Sequence, residues 1–445
     1  MYRIHAFLLG TILAWTSAVA SASDAVHQHR LDNGLNILVV EDPRAGVVTS
    51  MLWYHVGSGQ EYRPLTGISH AVEHMMFKGT EVRETGEFSR LIAREGGRHN
   101  AFTGRDFTGY FQTLAADRLE LAFELEAERM HRLVFDDDEF QREMEVIREE
   151  RRQRVDDPPQ ARAFERFNAT AHMANPYRHP IIGWERDLDR LQIEELEAWY
   201  ERWYAPANAT LVVVGAVTAD EVFALAEKHF GAVPDRDPEP QPEGREIAQP
   251  PGERRIDVTF ADARLPLLYM AFNVPSLATA EQPEDAYALM MAAELLDGGR
   301  SARIPTELVR GQALASSAGA RYTATARLDT LFTLSGHPAA EHSLDDLEAA
   351  FREQIERLHD EPPTEEEIER AVRRLLASEV YQRDSTSGQA HRLGQLEATG
   401  IGWQEVERFE ARIRAIEPED IQRVAQRYLQ PERLTIGRLH TEEQS

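Results

Sequence analysis

Two imidazoles and a carboxylate fall within little more than one helical turn, at His70, Glu73 and His74, inside the run Gly67-Ile68-Ser69-His70-Ala71-Val72-Glu73-His74-Met75-Met76-Phe77-Lys78-Gly79-Thr80. If this run is helical, His70 and His74 stand at i and i+4 and point from one face, as two nitrogen ligands of a single metal ion should. Glu73 lies on nearly the same face. A carboxylate there reaches a water at the metal's open position without itself binding the metal. A catalytic zinc needs three protein ligands and one open position, so the motif gains its meaning only from a third ligand on another element.

The best place for that ligand is an acidic segment farther along. Residues 135–154 open with Phe135-Asp136-Asp137-Asp138-Glu139, acids at the positive end of a helix, and carry arginines in the last turns before Pro158-Pro159. On such a helix Glu143 and Glu150 are seven residues apart and share a face, with Ile147 between them, whereas Glu145 and Glu149 turn elsewhere. Glu150 is therefore the candidate oxygen ligand. His99 stands alone beside Arg98, with no companion at ligand spacing.

The elements that must position these groups are legible around them. Pro64, Thr66 and Gly67 offer the histidine helix an entry, and Lys78-Gly79 offers a stop. Leu31-Asp32-Asn33-Gly34-Leu35 is a turn between strand-like runs, the second at 35–40, and residues 47–56 alternate as a strand. Residues 87–94 and 115–133 read as helices. Between them, Gly96-Gly97 leads through His99-Asn100-Ala101-Phe102-Thr103 into Phe107-Thr108-Gly109-Tyr110-Phe111, which has strand composition.

The chain's 445 residues exceed one ordinary core, so at least two domains are expected. Its 42% apolar and 28% charged residues read as soluble and globular. A net charge of −27 argues against nucleic acid, whose phosphates need a basic face. Such acidity serves solubility, and a second effect would be to draw cationic peptides into a negative cleft. The absence of cysteine excludes disulfides, thiolate ligands and a cysteine nucleophile. No G-x-S-x-G stands at a strand–helix turn, which disfavours a serine hydrolase. Arg3, the apolar residues 6–20 and the small-x-small sites Ala18-Val19-Ala20 and Ala20-Ser21-Ala22 read as a secretory signal peptide at 1–22, short for a membrane span. The expectation is an exported protein, periplasmic in a Gram-negative source, with no stable membrane anchor. Residues 234–252, rich in Pro, Glu and Asp, read as a linker between domains at 23–233 and 253–445.

The run from Gly67 to Thr80, the pair Glu143 and Glu150, the stretch Asn100-Ala101-Phe102-Thr103, Tyr177, Gly183 and the run from Trp203 to Gly215 together resemble the pitrilysin superfamily of inverted zincins. The similarity is to the branch of the mitochondrial processing peptidase and its bacterial relatives, over nearly the whole chain after the leader. It implies His70, His74 and Glu150 as ligands of one Zn2+ per chain, Glu73 as general base of peptide-bond hydrolysis, and Glu143 as an assisting carboxylate. It implies that the strand carrying Asn100, Ala101 and Phe102 holds substrate backbone by edge pairing. The fold implied is α+β: two tandem homologous halves, each a mostly antiparallel sheet with helices packed on one side.

The second half repeats the first. Glu419-Asp420-Ile421 through Tyr428, Pro431, Leu434 and Ile436 echoes Glu194-Glu195-Leu196 through Tyr204, Pro206, Leu211 and Val212. The counterpart of the histidine helix reads Tyr287-Ala288-Leu289-Met290-Met291-Ala292, with no ligand on it, so a single metal site is expected. Active single-chain relatives carry an arginine and a tyrosine seven residues apart in this half; here those positions are Val309 and Ser316, with Arg310 and Tyr322 nearby but out of register. The resemblance therefore implies a heterodimer with a zinc-less paralogue that supplies the pair, with a homodimer as second choice. Two function classes stand: a zinc endopeptidase acting on peptides or unfolded protein segments, and a non-catalytic structural or assembly subunit of a peptidase-like complex. The intact set His70, Glu73, His74 and Glu150 favours the enzyme.

Overall fold

The structure, a computed structural model, describes residues 25–44, 46–236 and 252–442. The leader assigned to 1–22 and most of the linker assigned to 234–252 lie outside the described residues.

Two mixed sheets form the framework. The first holds β1 (Val26–Arg30), β2 (Asn36–Glu41), β3 (Val47–Tyr54), β4 (Arg98–Thr103), β5 (Thr108–Ala115) and β6 (Ala209–Gly215), in the order β1-β2-β6-β3-β5-β4. The second holds β7 (Arg254–Thr259), β8 (Leu267–Val274), β9 (Ala315–Tyr322), β10 (Thr330–Pro338) and β11 (Leu434–His440), in the order β7-β11-β8-β10-β9. In the first sheet β2 and β6 run parallel and the other neighbours antiparallel. In the second, β7 and β11 run parallel and the rest antiparallel. Without β1, the first sheet has the same succession of pairings as the second. This is the α+β, two-half architecture that the resemblance implied.

Sequence explains the strand positions. β6 is buried along its whole length, which its Leu-Val-Val-Val core suits as a central strand covered on both faces. On the inner face of the first sheet, Ile37, Leu52, Tyr54 and Val213 meet Ile68, Val72, Phe123 and Ile147 from helices of the same half. The second half repeats this with Met270, Phe272, Leu334 and Ile436 against Leu289, Leu296, Phe351 and Val424.

The outer faces are covered by exchange. Helix Thr386–Ala398 of the second half lies across β3 and β6, seating Ala390 and Leu393 on Leu38, Met51, Trp53 and Val212. Helix Pro159–Ala171 of the first half lies on β7, β8 and β11, where Phe167 stacks on Tyr269 at 5.1 Å. Each sheet thus carries its own helices on one side and a borrowed helix on the other. A fully buried Leu or Phe stabilises by about 1.5–3 kcal/mol, so the exchange ties the halves together through several such side chains.

Candidate metal centre

The histidine helix, Ile68–Met75, is short and depends on its surroundings for its position. Its N-cap, Gly67, has φ +87°, and a Cβ there would lie 2.6 Å from the Ile182 carbonyl oxygen. Gly183, at φ +88°, fits as closely against the Thr66 carbonyl. The two glycines let the helix start flush against the loop at 182–183. Glu61 satisfies the helix entry, its two oxygens accepting from the Gly67 N–H at 2.7 Å and the Ser69 N–H at 2.9 Å. Burial pushes the Glu61 carboxyl up to about 7, against those two bonds. Thr66, expected at the entry, instead donates its hydroxyl to Asp187 at 2.6 Å. Ile68, Ala71, Val72 and Met75 are buried, which leaves His70, Glu73 and His74 to the cleft.

The glutamate helix, Asp137–Arg151, is capped by Asp136, whose carboxylate accepts from the Glu139 N–H at 3.0 Å. Phe140, Met144 and Ile147 are buried against the core, which sets Glu143 and Glu150 toward the histidines. The α-helix ends at Arg151, and a wider π turn follows at Arg152–Asp156, where the sequence predicts that the helix continues to about Arg154. Arg154, on that turn, places Nη1 2.6 Å from Glu150 Oε1.

The two helices bring three donors together. Glu150 Oε2 lies 3.7 Å from His70 Nε2 and 3.6 Å from His74 Nε2, and the imidazole centroids are 4.7 Å apart. Among the described residues, His70, His74 and Glu150 are the one group of three that could hold a metal ion. Zinc–nitrogen and zinc–oxygen bonds of about 2.0–2.2 Å in tetrahedral array set donors roughly 3.4 Å apart, so the observed separations suit one ion. Burial first, and then His74 and Arg154, lowers the His70 pKa to about 3, which keeps that ring neutral with a lone pair to give.

The remaining groups orient these three. Glu143 Oε2 lies 2.9 Å from His74 Nδ1, and Lys78 Nζ lies 2.5 Å from Glu143 Oε1. A proton on Nδ1 leaves the His74 Nε2 lone pair facing Glu150. The bond to His74, with help from Lys78, holds the Glu143 carboxyl below its ordinary range. Glu73 accepts a hydrogen bond from the Thr103 hydroxyl, while burial raises its carboxyl above the usual value. In the sequence Lys78 marks only a helix stop and Thr103 only part of a motif. Neither partnership has a local signal, because each joins elements distant in the chain.

β4 is the edge strand of its sheet and, among the described residues, pairs only with β5. Asn100, Ala101 and Phe102 on it line a cleft of about 740 Å³ together with His70, Glu73, His74 and Glu150. The Phe102 ring turns to the outer face, against Trp53, Phe107 and His391, so at that position the strand offers the cleft its backbone. His99 packs its ring on Phe77 and Phe88 and stands apart from the three donors. The cleft is not negative: Glu73, Glu150 and Glu165 are set against Arg105, Arg154 and Arg178. The acidic surplus of the chain is therefore not concentrated on this lining.

In the second half, Val309 packs beside the core and the Ser316 hydroxyl donates to the His337 carbonyl at 3.3 Å. The Arg310 guanidinium binds the Arg300 carbonyl and Thr306, and the Tyr322 hydroxyl donates to the Pro275 carbonyl at 2.6 Å. None of these four is among the cleft residues.

Residues 36–184 match the insulinase, or M16 peptidase, family model, and residues 190–375 match the M16 inactive-domain model. The zinc protease PqqE of Helicobacter pylori is 33% identical over 317 residues, 70% of each chain. The chain belongs to the M16 peptidase family, within the pitrilysin superfamily. Its M16 relatives include the mitochondrial-processing peptidase subunit beta of Lentinula edodes, 26% identical over 412 residues, 90% of this chain and 86% of that one. A solved protease from Helicobacter pylori has the same fold, with a TM-score of 0.87 and 28% identity over 94% of this M16 chain and 99% of that one. The periplasmic protease PqqL from Escherichia coli shares the fold at a TM-score of 0.77 and 19% identity, covering 95% of this chain and 48% of that one.

Proposed function

We propose that this M16 chain is a zinc-dependent endopeptidase that hydrolyses peptides or unfolded protein segments. The observation that carries the reading is the meeting of His70 Nε2, His74 Nε2 and Glu150 Oε2 from two separate helices, in a cleft that Glu73 also lines. In this reading His70, His74 and Glu150 hold one Zn2+. The bound ion supplies Lewis acidity, making a water more acidic and polarising a carbonyl.

Glu73 takes a proton from the attacking water and passes it to the leaving amine. Its burial brings the carboxyl nearer to the working pH, which favours transfer in both directions. Thr103 fixes the carboxylate's orientation through one oxygen. Glu143 holds His74 in the tautomer that presents Nε2, and that bond, with help from Lys78, favours the carboxylate form of Glu143. The backbone of Asn100, Ala101 and Phe102 accepts an extended peptide as an added strand, a mode that suits segments without structure of their own.

The reading includes a partner and an export route. Val309 and Ser316 supply neither cation nor phenol, and Arg310 and Tyr322 are engaged away from the cleft, so a zinc-less paralogue that provides such groups is the favoured partner, a second copy of this chain being the alternative. The small-x-small sites after an apolar stretch support export to the periplasm, and no helix among the described residues is long and apolar enough to cross a membrane. The assembly-subunit reading draws support from the inactive-domain match at residues 190–375, which spans the end of the first half and much of the second.

The test is hydrolysis of an unstructured peptide by the purified chain, alone and with any co-purified partner. Activity lost to a chelator and restored by zinc is expected. No hydrolysis in either form would leave the assembly-subunit reading standing.

A further inference from the structure

The strand that borders the cleft ends at Thr103, and Arg105 follows on the cleft wall. Its guanidinium carbon sits 5.0 Å from the centre of the Tyr177 ring, and Nη2 donates to Asn168 Oδ1 at 2.9 Å. The Asn168 amide is itself oriented, its Nδ2 donating to the Tyr177 carbonyl at 2.8 Å. The cation is thus held in place by a ring and an oriented amide.

Arg105 makes no direct ion pair among the described residues, and the neighbouring Asp106 carboxylate acts on it only through space. An arginine carries five N–H donors in a planar fork, and only one bond is made here among the described residues. No carboxylate of the described residues lies within ion-pair distance. The neighbouring Asp106 turns to the Tyr177 hydroxyl at 2.6 Å and the Arg327 N–H at 3.2 Å. Glu165, across the cleft, is engaged by Arg151 at 2.8 Å. Of the other cleft arginines, Arg154 is paired with Glu150, and Arg178 is exposed and bonded to the Met173 carbonyl. Burial lowers the Arg105 pKa, the sign of a cation stripped of water without full compensation. A carboxylate brought to such a fork makes two charge-assisted bonds at once.

We infer that Arg105 is a specificity-determining residue that receives an Asp or Glu side chain of the bound peptide. The inference rests on the peptidase reading above. A peptide laid along residues 100–102 with its scissile carbonyl beside Glu73 passes Arg105 within about three residues of the cut, at a strand rise of about 3.3 Å per residue.

The test is cleavage of a randomised peptide pool by the zinc-loaded protein, followed by paired peptides that differ only as Glu or Gln at the enriched position. The expected result is an acidic preference at one position near the cut, with kcat/KM about 10-fold or more higher for Glu than for Gln. That ratio should fall to near unity in Arg105→Met, be partly kept in Arg105→Lys, and turn toward Lys-containing peptides in Arg105→Glu. Because each ratio is taken within one preparation, the folded fraction cancels. A wild-type protein without acidic preference, or an Arg105→Met protein that keeps it, overturns the inference. If nothing is cleaved, the same pool is panned for binding to Glu73→Gln protein. Acidic enrichment that vanishes when Arg105→Met is added supports the subsite even though the peptidase reading has failed, and no enrichment overturns it.

Discussion

The two halves share a succession of strands and differ in what the corresponding helix does. Helix Ile68–Met75 buries one face and gives the other, with His70, Glu73 and His74, to a cleft. Helix Pro283–Asp297 buries Ala286, Tyr287, Ala288, Leu289, Met291, Ala292, Leu295 and Leu296, which take up most of its circumference, as befits a core element. The edge strands differ in the same sense. β4 reaches Glu73 through the Thr103 side chain, whereas in β9 the Ala320 backbone N–H is taken by Asp297 at 3.1 Å. One scaffold therefore yields a candidate site only where polar side chains on the helix meet a sheet edge whose backbone is left available. In the other half the helix face is spent on packing, and the edge strand gives the Ala320 N–H to Asp297.

Four variants probe that contrast, beginning with the largest expected effect. Glu73→Gln should keep zinc and lower kcat by about 10²–10⁴-fold; ordinary turnover by a glutamine variant would remove Glu73 from the base role. Glu143→Gln should weaken zinc binding by about 10–100-fold in a chelator competition, since His74 loses the acceptor that fixes its tautomer. The reverse experiment writes ligands into the silent half. Ala288→His with Ala292→His sets two imidazoles at i and i+4 on the counterpart helix, at positions that are fully buried. Zinc content should not rise, and the denaturation midpoint should fall by the equivalent of about 1–3 kcal/mol. A second zinc would mean that the halves differ in ligands alone.

The smallest effect concerns the entry to the histidine helix. The Glu61 carboxyl is raised to about 7 in the folded chain against an ordinary 4.5, so between those values the native state binds more protons than the unfolded one. Its contribution to stability therefore declines as pH rises through 7, by about 1 kcal/mol from pH 6 to pH 8. Subtracting a Glu61→Gln urea series from the wild-type series should isolate that slope. A difference that is flat with pH would show that Glu61 is not held near neutrality.

Much of the site was legible because its signals are local. The i, i+4 spacing of His70 and His74 and the seven-residue spacing of Glu143 and Glu150 follow from helix geometry, and residues 87–94 form the helix read from the sequence. The apolar run at 287–292 likewise announced a helix without ligands. What the sequence did not carry was set by neighbours far along the chain. Glu61 as the cap, Lys78 on Glu143 and Thr103 on Glu73 each depend on how loops and strands fold back. The exchanged helices Pro159–Ala171 and Thr386–Ala398 were equally silent, since an apolar stripe tells that a face is covered but not which sheet covers it.

The most direct measurement is zinc content per chain after exhaustive dialysis, for the wild-type protein beside Glu150→Ala. About one equivalent is expected in the wild type and almost none in the variant, with both proteins folded by circular dichroism. A wild-type chain that retains no zinc, or a Glu150→Ala chain that binds it as tightly, would contradict the claim that His70, His74 and Glu150 form a metal centre.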